Sequence, residues 1–193
     1  MALEEIARGL HRWTAWHPEW RAQVGCLALE TDDGLVLIDP LDPPRELRRP
    51  DHVLITVFWH GRSTRDLRAK RVWAPIRSTQ PLRNRGVAVS DPFRAGHELP
   101  GGIEAFQTVR VSEVIFWLPH QRAVAAGDAL LGSPLRLCPE SWLGKPTHAD
   151  LRASLRPLLD LPIVRVLVSH GDPVLRGGKR ALATVLSGRP PLP

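Results

Sequence analysis

Short apolar runs that end at an acid or an imidazole most constrain this chain, because they call for a fold that gathers several strand ends at one edge. Leu35-Val-Leu-Ile38 stops at Asp39, Val53-Leu-Ile-Thr-Val57 gives way to Phe58-Trp-His-Gly-Arg62, Ala123-Val-Ala-Ala126 stops at Gly127-Asp128, and Val164-Arg-Val-Leu-Val-Ser169 stops at His170-Gly171. Runs this short, rich in Val and Ile and bounded by Gly, Pro or Asp, read as strands. After Asp39 the segment Pro40-Leu-Asp-Pro-Pro44 cannot stay in a ladder, since proline lacks the N–H donor, so the chain leaves the sheet there.

The other segments fill in the architecture. Val24–Glu30 and Leu35–Ile38 flank Thr31-Asp-Asp-Gly34, and an Asp-Gly pair between apolar runs predicts a hairpin. Ser63 with Asp66 three residues on resembles a capping box, which predicts a helix over Ser63–Lys70 after the loop. Val72–Pro75 predicts a further short strand, and 77–100, rich in Pro, Gly and Arg, reads mostly as loop. Ile103–Val109 and Glu113–Leu118 predict two more strands, the second joined to Ala123–Ala126 through Pro119–Arg122. Leu151, Leu155, Leu158 and Leu159 recur at helical spacing within 147–159, a second helix spans 177–187, and the tail 188–193 is expected to fray. With 193 residues and no fixed-period repeat, one domain over 1–193 is expected: two sheets with helices outside, an αββα sandwich of α/β (α+β) class.

Charge and composition narrow the function. The +6 net charge would raise the prior for nucleic acid, but of 26 basic residues only Lys70, Lys145 and Lys179 are lysine and no undiluted basic block occurs, so no nucleic-acid partner is expected. No apolar run approaches the roughly 18 residues of a membrane span, and Met1-Ala-Leu-Glu-Glu-Ile carries acids where a secretory leader carries bases, so a cytoplasmic, membrane-free location is expected. Cys26 and Cys138 are read as reduced core residues. Motifs of the GxSxG, P-loop and GxGxxG kinds do not occur, which removes the mechanical parts of serine hydrolases and nucleotide enzymes.

The order of the polar strand ends resembles the metallo-β-lactamase superfamily. The residues that carry this are Leu37-Ile-Asp39, the loop Thr56-Val-Phe-Trp-His-Gly-Arg-Ser63, Gly127-Asp128 and Ser169-His170-Gly171, and the likeness runs from about Gly9 to Leu186. The resemblance implies the four-layer sandwich and a hydrolase-like activity. The superfamily motif Thr-His-x-His-x-Asp-His converges imidazoles and a carboxylate on a divalent ion. Here the ligand positions become Val57, Trp59, Gly61 and Arg62, or, displaced by one residue, Phe58, His60, Arg62 and Ser63, so a two-metal site is not expected. Glu113 falls near the family's third histidine segment, Asp128 resembles the bridging aspartate and His170 the last histidine.

The candidate residues divide by role. His60, Asp128 and His170 are the candidate ligands of at most one Zn²⁺, with His60 and Asp128 as candidate catalytic groups and Arg62, Glu113, Trp59, Ser63 and Asp39 as pocket neighbours. Trp13, Trp16, Trp20, Trp59 and Trp142 are candidates for an aromatic wall or for core packing, and His17 is an accessory candidate. The competing reading is metal-free: Arg62 pairs with Asp128 and the fold serves as a binding or regulatory module for a small, anionic ligand. Taken singly, His60, Asp128 and His170 are equally readable as structural or turn residues, and Glu113 as a solvent-facing strand residue. The broken motif gives no support to β-lactam cleavage, and substrate and oligomeric state are left open.

Overall fold

A computed structural model describes residues 2–188, so the predicted frayed tail lies, apart from Gly188, outside the described residues. The first sheet holds seven strands in sequential order: β1 (Glu4–Ala7), β2 (Leu10–His17), β3 (Ala22–Thr31), β4 (Gly34–Ile38), β5 (His52–Leu54), β6 (Arg71–Pro75) and β7 (Asp91–Phe93). Pairing is antiparallel through β4 and parallel from β4 to β7. The second sheet contains β8 (Glu104–Gln107), β9 (Val114–Leu118), β10 (Ala123–Ala126) and β13 (Arg165–Val168), in the order β13-β10-β9-β8, with β10 and β13 parallel. A small hairpin of β11 (Leu130–Leu131) and β12 (Arg136–Leu137) stands apart. The helices are α1 (Thr79–Arg83), α2 (His148–Leu155) and α3 (Gly178–Ser187).

Side-chain alternation makes three apolar layers from two sheets. Between the sheets, Leu10, Leu27, Leu29, Ile38 and Leu54 meet Phe116, Leu118, Ala125 and Leu167. Behind the second sheet, Ile115, Trp117, Val124 and Val166 pack on Leu151 and Leu155 of α2 and Leu182 and Leu186 of α3. Both faces of β9 and β10 are therefore covered, which is why Val-Ile-Phe-Trp-Leu and Ala-Val-Ala-Ala need no polar alternate. Behind the first sheet, Trp13, Val24, Cys26, Leu37, Val53 and Ile55 meet Leu82 and Val87, so this outer layer is thin, made of α1 and 3-10 turns.

Several expectations need correction. The predicted helix over Ser63–Lys70 is absent: 58–66 form 3-10 turns interrupted at Arg62, whose φ of 35° and ψ of −120° no helix accommodates. Ser63 does not cap that helix; its Oγ accepts from Asp42 N at 3.0 Å and joins the Asp-Pro-Pro loop. The expected loop 77–100 contains α1 and β7, and the edge pair β1 and β2 has no counterpart in the sequence reading. By contrast α2 begins with a full capping box, Thr147 Oγ1 accepting from Asp150 N while Asp150 accepts from Thr147 N, before its last turns tighten to 3-10 at 156–160.

Candidate functional site

All four polar strand ends meet at one edge of the sandwich. Ser169 O accepts from Gly25 N at 2.7 Å, and Thr56 O accepts from Val114 N at 3.0 Å, so the two sheets are stitched together beside the residues that follow β5 and β13. The C-terminal ends of parallel strands, where the chain must leave the sheet, are the usual place for α/β chemistry.

His60 is fixed first. Its imidazole is fully buried, and its Nδ1 lies 2.8 Å from Asp39 Oδ2. Asp39 is itself held by Thr56, whose N donates to Oδ1 at 2.8 Å and whose Oγ1 donates to Oδ2 at 2.5 Å. With that carboxylate in front of Nδ1, the proton belongs there and the Nε2 lone pair points away from Asp39. Asp39 adopts a φ of 49°, an unfavourable setting for a non-glycine residue that its three hydrogen bonds hold in place.

Asp128 faces that free nitrogen. Its Oδ2 accepts from Trp59 Nε1 at 2.6 Å, which leaves Oδ1 for the imidazoles: His60 Nε2 at 3.1 Å and His170 Nε2 at 3.4 Å. Neither His60 Nε2 nor Asp128 Oδ1 is aligned for a hydrogen bond at that separation, so the two buried atoms face each other as an ion pair without one. Burial would push the Asp128 carboxyl up, but His60 and His170 outweigh it and hold the group well below the ordinary aspartate range. At His60, burial and Arg62 lower the imidazole pKa, and Asp128 and Asp39 more than reverse them, so the net direction is upward. One ligand atom from each of His60, Asp128 and His170 lies within 4.8 Å of the others, the arrangement a small divalent ion requires.

Behind this trio lies a second carboxylate. Glu113 is fully buried: Oε2 lies 2.7 Å from Arg110 Nε and 2.6 Å from its Nη2, and Oε1 accepts from Asp128 N at 2.8 Å and Ala129 N at 3.0 Å. Gly127 permits this, because a Cβ there would stand 2.7 Å from Thr56 Oγ1 and 3.0 Å from Glu113 Oε1. Both Glu113 oxygens are thus committed, Oε2 to Arg110 and Oε1 to the backbone N–H groups of Asp128 and Ala129, and Glu113 does not join the ligand set or line the pocket.

A cavity of about 620 Å³ opens in front of Asp128 and His170, walled by Trp20, Trp59 and Trp142 with Ala22 and Arg110. Of the expected pocket residues, Trp59, Asp128 and His170 line it; His60 and Asp39 stand directly behind; Ser63 is tied to Asp42 and lies outside. The expected Arg62–Asp128 pair does not form. Arg62 Nη1 donates to Asp39 O at 2.9 Å and approaches Cys26 Sγ at 3.7 Å, and the guanidinium sits 5.5 Å from the Trp20 ring, while Asp128 takes its partners from His60, His170 and Trp59. Sequence reasoning misses Arg110, although its spacing of three from Glu113 is a visible signal. Trp13 is core, its Nε1 donating to Leu41 O at 2.9 Å, and His17 stacks on Trp20 at 3.9 Å. Both cysteines are free and buried, and burial pushes each thiol up to about 11, which makes them poor nucleophiles at neutral pH.

Comparison of the whole fold with solved structures gives its class. A metallo-β-lactamase from Pontibacter korlensis superposes with a TM-score of 0.70 at 15% identity, over 97% of this chain and 99% of that one. FIM-1 from Pseudomonas aeruginosa, solved in a mono-zinc form, gives 0.70 at 14% identity over 96% and 93%, and a metallo-β-lactamase from Hirschia baltica gives 0.67 at 14% over 99% of both. The chain therefore has the metallo-β-lactamase fold, a mixed α/β sandwich of two sheets. No family model and no curated protein sequence matches it. Among the described residues no helix is long and apolar enough to cross a membrane.

Proposed function

We propose that this chain is a metal-dependent hydrolase that uses one divalent ion, Zn²⁺ by its donor set, held by His60 Nε2, Asp128 Oδ1 and His170 Nε2. The observation that carries this is the convergence of three ligand atoms within 4.8 Å of one another, two of which, His60 Nε2 and Asp128 Oδ1, are buried and face each other at 3.1 Å without an aligned hydrogen bond. A cation between them would give both atoms the directed bonds that their present alignment lacks. The mono-zinc form of FIM-1 supports a single ion as a workable state of this fold.

An ion at this position would supply a Lewis acid and a water acidified toward neutral pH. The chain's own contributions are legible. Asp39 keeps the His60 proton on Nδ1 and so leaves Nε2 available. Trp59 pins Asp128 Oδ2 and turns Oδ1 inward. Glu113 fixes the Asp128 backbone through two N–H groups. His170, 20% exposed, sits at the boundary between the buried donors and the cavity, where it meets a substrate first. A small organic ester, thioester or phosphoester in a cytoplasmic setting is the substrate class this reading entails, with no nucleic acid or membrane involved.

Protein stripped with chelator and resupplied with Zn²⁺ is expected to regain hydrolysis of at least one such ester at one equivalent, and His170→Ala to lose it while remaining folded. Turnover that survives both chelation and His170→Ala would overturn the proposal. A second reading, a metal-free module for an anionic ligand, is favoured by Arg62, whose Nε and Nη2 are buried without a partner. It predicts anion binding, weakened by Arg62→Met, with no response to zinc.

A further inference from the structure

The cavity in front of His170 is walled by three indoles. Arg110 touches the segments that carry two of them: its guanidinium lies 5.3 Å from the Trp59 ring centroid, and its Nη1 donates to the backbone carbonyl of Trp142 at 3.1 Å, while the Trp142 ring stands edge-on to His170 at 6.4 Å. The Arg110–Glu113 ion pair, buried at the rear of the site, anchors that guanidinium and so makes the wall a consequence of the core. Trp20 is fixed by stacking on His17, with an interplanar angle of 7° and a centroid separation of 3.9 Å, and by its backbone N–H donating to His17 Nδ1. Trp142 nevertheless remains 47% exposed, and it is the exposed large apolar side chain that lines this cavity. An aromatic ring whose backbone is anchored and whose face is open to solvent at the mouth of a cavity is a surface suited to a partner.

The polar groups are segregated. Asp128 and His170 occupy one end of the cavity, and Trp59 has already given its indole N–H to Asp128. Arg110 Nε and Nη2 are engaged by Glu113 and Nη1 by the Trp142 carbonyl, so the one permanent cation in the lining offers no free fork to an anionic headgroup. What is left for a ligand along the walls is π surface, the Ala22 methyl and neutral indole N–H groups, with no free charge. We infer that the substrate of this site carries a flat, uncharged aromatic group of one or two rings beside the bond that is cleaved, as in an ester of an arenecarboxylic acid. The cleavage rests on the hydrolase reading; the aromatic preference rests on the indoles alone. In that reaction the water oxygen joins the acyl carbon, the acyl C–O bond breaks, and the alcohol leaves with the second proton while the acid product keeps the ring.

Binding of a neutral probe separates the two claims. Naphthalene-2-carboxamide and its saturated decahydro counterpart would be titrated by calorimetry into metal-stripped wild-type protein, Trp142→Leu and Trp16→Leu. Offset stacking on an indole adds a geometry-specific gain to area burial, so the aromatic amide is expected to bind about tenfold more tightly than the saturated one. Trp142→Leu, which keeps apolar bulk at an exposed position, is expected to remove most of that preference, and Trp16→Leu, exposed on β2 outside the lining, to leave it unchanged. Equal binding of the two amides, binding of neither, or a preference untouched by Trp142→Leu would overturn the inference. An aromatic preference in protein that hydrolyses no naphthoate ester with zinc would leave the inference standing and count against the hydrolase reading alone.

Discussion

Two buried carboxylates stand in the same wall of this molecule, and their surroundings separate chemistry from scaffolding. Glu113 is saturated: an arginine, a threonine and two backbone N–H groups all address its oxygens. Asp128 spends one oxygen on Trp59 and presents the other to two imidazoles, at 3.1 Å and 3.4 Å, without an aligned hydrogen bond to either. Both residues are acids at strand ends, and sequence context alone does not rank them. Leftover bonding capacity does, because a fully bonded carboxylate has nothing to give a ligand, whereas a half-bonded one facing histidines does.

The largest test of that contrast removes each carboxylate in turn. Glu113→Ala strands Arg110, which cannot shed its charge, so a loss of about 3–5 kcal/mol in denaturant unfolding is expected. Asp128→Asn leaves only histidines behind, and these can deprotonate; it is expected to cost markedly less stability and to abolish zinc binding. Equal losses in the two variants would erase the distinction. Next in size, Asp39→Asn removes the carboxylate that sets the His60 tautomer, and zinc affinity is expected to fall about 10- to 100-fold, as for other orienting partners of metal-bound histidine, with the fold retained. Unchanged affinity would show that Thr56 alone orients the ring.

The smallest effect is the pH dependence of the metal-stripped protein. The His60 pKa is raised on folding, so its contribution is fully present below the unfolded value of about 6.5 and is lost as pH rises through the folded value. The Asp128 pKa is depressed, so its contribution is present above about 3.9 and is lost as pH falls through the folded value. Stability without metal should therefore peak between those limits. Zinc competes with protonation of His60 at Nε2, so its added stabilisation should grow as pH rises across the same interval. Parallel pH profiles with and without zinc would place the ion elsewhere.

Much of this site is legible in the sequence because its residues interrupt apolar runs: Asp39, Asp128 and His170 each follow a strand, and His60 lies in the loop after one. The four-layer fold is legible for the same reason. Two of the failures share a cause, a local backbone setting that residue type does not reveal. Ser63–Asp66 has the spacing of a capping box, yet Arg62 at positive φ redirects the chain and Ser63 bonds Asp42. Arg62 has the charge to neutralise Asp128, but that same turn carries it beneath Trp20 to the Asp39 carbonyl. In β2, the adjacent His11 and Arg12 and the exposed Thr14 and Trp16 mask an amphipathic strand whose Leu10, Trp13 and Ala15 are core.

The most direct measurement is calorimetric titration of chelator-stripped protein with Zn²⁺ in two buffers of different ionisation enthalpy, for wild type and His60→Ala. The account predicts one site per chain with proton release near neutral pH, and loss of the site in the variant. A stoichiometry of two, or one site that His60→Ala leaves intact, would contradict it.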